Sequence, residues 1–93
     1  MVLLITYDIN NRPKDYARIY TAITQLGEVK RDSGLDSVWF VYTNYTPEQA
    51  SNHLRNSIDK DDRLFVVKVN AGQRDGWMSK DVWDWISARE SLF

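Results

Sequence analysis

Val2-Leu3-Leu4-Ile5-Thr6-Tyr7-Asp8-Ile9 decides the fold of this chain, because an extended run of these residues is mostly apolar on both faces. Side chains alternate along a strand, which sets Leu3, Ile5, Tyr7 and Ile9 on one face and Val2, Leu4, Thr6 and Asp8 on the other. Such a strand belongs in the middle of a sheet. Asn10, Asn11, Arg12 and Pro13 supply the turn that leaves it, and Pro13 suits the start of a helix, where its missing N–H is not needed.

Working outward, Tyr16, Ile19, Tyr20, Ile23 and Leu26 recur at spacings of three and four, which predicts an amphipathic helix over about 14–26. Gly27 stands where a left-handed residue would end it. Val29 to Ser33 reads as a short strand whose Lys30, Arg31 and Asp32 suit an exposed edge. After a turn at Gly34, Ser37 to Thr43 carries Val38-Trp39-Phe40-Val41-Tyr42, a second central strand. Thr46, Pro47, Glu48 and Gln49 spell a capping box that opens a helix with Ala50, Leu54 and Ile58 as its inner stripe. The polar turn Asp59 to Asp62 stops it, and Arg63 to Val69 forms a last strand.

The order strand, helix, strand, strand, helix, strand predicts an α+β ferredoxin-like sandwich over residues 1–69. Its four-stranded antiparallel sheet carries both helices on one face. The other face is then open and apolar, and an uncovered surface of that kind is adhesive. Residues 70–93 are a C-terminal Trp-rich extension with a loop at 71–76, Trp77, a Ser79 cap and a short helix bearing Val82, Trp83, Trp85 and Ile86. Packed on the domain or on a partner, the extension covers part of the face. A second copy of the chain is the simplest cover for the rest, with Trp77, Trp83 and Trp85 as contact residues.

The composition narrows the function classes. The 93 residues hold no cysteine, which removes disulfides, thiolate metal sites and cysteine nucleophiles. Net charge is −1, a weak field for a protein that grips duplex nucleic acid alone. No apolar run approaches the length of a membrane span, and the apolar start is too short for a signal peptide, so the cytoplasm is the default location and no membrane partner is expected.

Asp8 is the leading candidate for chemistry. A carboxylate at the end of a central strand needs a partner, a metal or water. One reading is an Asx turn built by Asp8 or Asn10; the other is a Mg²⁺ or Mn²⁺ ligand shared across a two-fold axis with the same residue of a second copy. His53, the single histidine, reads as solvated surface, and Asp59, Asp61 and Asp62 as a solvated turn without the spacing of a calcium loop. Trp39 and Phe40 sit where an RNA-recognition sheet displays its stacking aromatics, but the flanking basic and glycine residues of that signature are missing, so packing is the preferred use.

Leu4-Ile5-Thr6-Tyr7-Asp8-Ile9 followed by a polar turn and helix, together with the serine-led strand Ser37-Val38-Trp39-Phe40-Val41, resembles the CRISPR-associated protein two family and its relatives. Those relatives include virulence-associated protein D and small proteins labelled SinR family. The resemblance spans about residues 2–69 and implies a ferredoxin-like fold, a homodimer and, in nuclease members, a metal-binding aspartate at Asp8. Two departures stand beside it, the mildly acidic charge and the Trp77 to Trp85 tail. Two functions are therefore carried forward. One is a metal-dependent nuclease on RNA or DNA, with Asp8 catalytic and metal-binding and with Asn10, Arg12 and Lys14 steering phosphate. The other is a non-catalytic homodimeric module that binds a protein or nucleic-acid ligand in bacterial defence or phage counter-defence.

Overall fold

A computed structural model describes residues 1–10 and 13–90, with the backbone alone for 13–15. The elements run β1 (Val2–Asp8), α1 (Pro13–Thr24), β2 (Glu28–Lys30), β3 (Val38–Tyr42), α2 (Pro47–Arg55), β4 (Arg63–Lys68) and α3 (Lys80–Glu90). The four strands form one sheet in the order β2-β3-β1-β4, with every neighbouring pair antiparallel. The result is a four-stranded antiparallel sheet with three helices, consistent with a ferredoxin-like sandwich. No described helix is long and apolar enough to cross a membrane.

The doubly apolar β1 is why two separate cores exist. Its Leu3, Ile5 and Tyr7 face α1 and α2, where they pack with Ile19, Ile23 and Leu54. Its Val2 faces the other way, into a smaller cluster with Phe40, Val82 and Ile86, and Leu4 packs against that cluster. Alternation along β1 and β3 thus feeds both sides of the sheet at once. Thr46 caps α2 as a full capping box: its Oγ1 accepts from the Gln49 amide at 3.2 Å, and Gln49 Oε1 accepts from the Thr46 amide at 3.0 Å.

Several local expectations are corrected. Gly27 is not left-handed, since only Gly72 and Gly76 have positive φ. Glycine is needed at 27 for a different reason: a Cβ there would lie 2.1 Å from the Tyr42 carbonyl oxygen of β3. β2 ends at Lys30 rather than Ser33 because Asp32 starts a turn, its carboxylate accepting from the Gly34 amide at 2.8 Å and its carbonyl from the Leu35 amide at 3.0 Å. α2 closes at Asn56, so Ile58 packs on the helix-side core from beyond the helix.

The residues expected to form a bare charged edge in and after β2 are instead engaged. Lys30 pairs with Asp81 of α3 at 2.9 Å. Arg31 lies over Trp39, its guanidinium carbon 4.4 Å from the ring centre. Asp32 is buried, and its second carboxylate oxygen accepts from the Ser79 amide at 2.7 Å. Those amides, Ser79 first and then Gly34, hold the Asp32 carboxyl below the usual range.

Candidate functional site

The open sheet face is divided in two by α3, and the division follows from its contacts. Glu28 of β2 accepts from Arg89 Nε at 3.0 Å and from Trp85 Nε1 at 3.4 Å, while Lys30 holds Asp81. These contacts hold α3 over the β2-β3-β1 part of the sheet, where Val82 and Ile86 are sealed against Phe40 and Val2. Over β4 no described residue gives such cover. Phe65 is 61% exposed and Val67 38% exposed, although both sit on the same face as Phe40.

Between α3 and β4 lies a groove of about 540 Å³, floored by Leu4, Val38 and Val67 and walled by Trp83, Met78 and Trp77. Trp77 is fully exposed, and Leu35 at the same groove is also open to solvent. Arg74 closes one side. Its guanidinium forms a two-pronged bridge to Glu90, at 2.9 and 2.6 Å, and lies 5.9 Å from the Trp83 ring centre, so the segment after β4 is stapled to the end of α3. Of the three tryptophans expected at a contact, Trp85 packs within the chain under Arg89, Trp83 is half-buried in the groove wall and Trp77 stands free.

Asp8 lies on the same open side, at the far end of β1. It is exposed, faces Arg63 in the strand register, and helps to line a shallow depression of about 240 Å³ with Thr6, Arg63 and Phe65. Its carboxylate makes no hydrogen bond or ion pair among the described residues. No three His, Cys, Asp or Glu side chains gather there or elsewhere among the described residues as a metal cluster would. A single carboxylate beside a guanidinium can bind one face of a hydrated cation or orient a phosphate, and needs further donors to hold an ion firmly.

Asn10, expected to steer phosphate, is tied into the fold. Its amide donates to Asp62 Oδ1 at 3.0 Å and its side-chain nitrogen to the Asp61 carbonyl at 3.4 Å. Asp62 is accordingly buried rather than solvated, its other oxygen accepting from the Asp59 amide at 2.8 Å. Arg12 and the Lys14 side chain lie outside the described residues. His53 is half-buried rather than solvated, 3.1 Å from Gln25 Oε1 and beside the Tyr45 ring.

On the helix side, Tyr7 and Trp39 form a buried polar pair between strands: Trp39 Nε1 donates to the Tyr7 oxygen at 3.1 Å. Burial pushes the Tyr7 phenol up to about 12 despite that hydrogen bond. Sequence reading did not single out Phe65, Val67 and Leu35 as surface residues. The signal was present in β4, where Phe65 and Val67 alternate with Leu64 and Val66, but alternation alone does not tell which face a distant helix will leave bare. Set against known proteins, the chain matches no family model and no solved structure.

Proposed function

We propose that the chain acts as a homodimeric, non-catalytic binding module. The observation that carries this reading is the half-covered sheet face, where Phe65, Val67, Leu35 and Trp77 surround an apolar groove on a chain of 93 residues. Contiguous apolar surface on so small a protein marks an interaction site. A second copy is the occupant that covers Phe65 and Val67 with no further component, since a two-fold interface uses one patch twice. The near-neutral charge of −1 favours apolar contact over a phosphate backbone as the basis of recognition.

The nuclease reading, which the resemblance implies, retains one supporting observation: Asp8 is exposed on the open side with Arg63 opposite. A Mg²⁺ or Mn²⁺ ion held there would activate water, and Arg63 would hold the phosphate. Sedimentation equilibrium and a cleavage assay test the two together. The full chain is expected to be dimeric at micromolar concentration. The Asp8→Asn chain is expected to treat single-stranded RNA and duplex DNA as the parent does in either metal. Metal-dependent cleavage that vanishes on that substitution overturns the non-catalytic reading, and a monomer throughout the range overturns the dimer.

A further inference from the structure

We infer that the second copy joins through the free edge of β4, strand against strand, so that two sheets become one. The inference rests on the homodimer reading above and adds the surface, the register and the two-fold axis. β4 is the last strand in the order β2-β3-β1-β4, so one side of its backbone has no neighbour in the sheet. The phase of its pairing with β1 decides which groups are left over. Val69 N–H donates to the Val2 carbonyl at 2.9 Å, and antiparallel residues alternate between facing the partner strand and facing away. Val67, Phe65 and Arg63 therefore use their backbone groups on β1, and Leu64, Val66 and Lys68 aim theirs at the open edge. Among the described residues nothing occupies those groups.

An exposed row of unpaired N–H and C=O groups is a template for another strand unless charge, shortness or a covering element blocks it. The opposite edge of the sheet is blocked: β2 has three residues, and its Glu28 and Lys30 are bound to α3. β4 has six, and its charges, Arg63 and Lys68, stand at its ends and leave Leu64-Phe65-Val66-Val67 uncharged between them.

One register pairs all three outward-facing residues of the strand with those of its copy. A two-fold axis through Val66 sets Val66 opposite the partner's Val66 and Leu64 opposite the partner's Lys68, so every outward-facing group within β4 is paired. A shift by one residue would bring the already bonded groups to the interface, and a shift by two toward Arg63 would run the pairing into the buried Asp62 turn. In the Val66 register Phe65 lies across from the partner's Val67, at non-hydrogen-bonded positions, where side chains approach most closely. The two most exposed apolar side chains of β4 then cover each other, and no like charges face.

The test uses the full chain and a Val66→Pro substitution. The Val66 N–H points outward, so proline removes an edge donor without touching the ladder to β1. The parent is expected to sediment as a dimer. The variant is expected to keep the circular dichroism of the parent while its dimer dissociation constant rises about tenfold or more, for two lost hydrogen bonds. A folded variant that dimerises as tightly as the parent overturns the β4 edge while leaving the homodimer reading intact, whereas a monomeric parent overturns that reading itself. Amide exchange in the parent decides the matter even if the variant does not fold. Slow exchange at Leu64, Val66 and Lys68 in the dimer supports edge pairing, and free exchange at those amides refutes it.

Discussion

Replacing Ile86 by alanine tests whether α3 is part of the fold or an appendage. Ile86 is 0% exposed and belongs to a cluster of four buried residues, with Val2, Phe40 and Val82. An isoleucine-to-alanine change in a sealed site costs about 2–5 kcal/mol, with the spread set by how far the neighbours collapse into the space. This cluster is small and lies beneath the half-exposed Trp85, which can settle inward, so a cost of about 3 kcal/mol is expected. That is a large share of the roughly 5–15 kcal/mol that holds a domain of this size, and it corresponds to a fall in thermal midpoint of about 12–24 °C. Urea denaturation followed by far-UV circular dichroism measures it, with Leu54→Ala in the helix-side core as the comparison. A loss below about 1 kcal/mol at Ile86, with a normal loss at Leu54, would refute the claim that α3 seals the sheet.

Two further outcomes follow from the same packing. Gly27→Ala forces a methyl group to within 2.1 Å of the Tyr42 carbonyl oxygen, so β2 must move off β3; a loss of about 1–3 kcal/mol or more is expected in the same urea titration. Tyr7 has its phenol raised to about 12, so the folded chain holds a proton that the unfolded chain releases near pH 10. The stability from keeping Tyr7 neutral is complete below that pH and falls as pH rises toward 12, and phenolate absorbance should show one tyrosine titrating last, at the pH where the fold is lost.

Much of the fold was legible because its signals are local. The two-faced apolar β1, the three-and-four spacing of α1, and the Thr46 to Gln49 box each sit within one turn or one strand, where backbone geometry alone makes them meaningful. The misreadings share a different cause. Asp32 looked like an edge charge and Asp62 like a solvated turn, yet each is a buried acceptor for an amide far along the chain, Ser79 at a separation of 47 residues and Asn10 at 52. Likewise Gly27 is demanded by the approach of β3, not by the end of α1. No periodicity encodes a contact made only when distant elements meet.

The candidate site was legible to a similar depth. Asp8 could be placed on the open side of β1 from alternation, and the need to cover that side could be stated from the apolar content of four strands. What could not be read was where α3 would stop. Its position is set by ion pairs from Glu28 and Lys30 to Arg89 and Asp81, which draw it toward β2 and leave Phe65 bare on the opposite flank. Charges that resemble ordinary surface in the sequence therefore decide which half of the sheet is available for binding.

The geometry of the proposed dimer also separates the two functional readings. Asp8 pairs with Arg63 across β1 and β4, three residues from the axis at Val66 and one strand removed from the joined edge. With strands about 4.8 Å apart and a rise of about 3.4 Å per residue, edge pairing places the two Asp8 carboxylates about 25 Å apart, far beyond the reach of one ion. A metal bridging two Asp8 side chains and a sheet continued through β4 are thus incompatible in one assembly. If the dimer forms through β4, each Asp8 must act alone beside its own Arg63, and one carboxylate per subunit leaves most of a metal ion's coordination to water or to other donors.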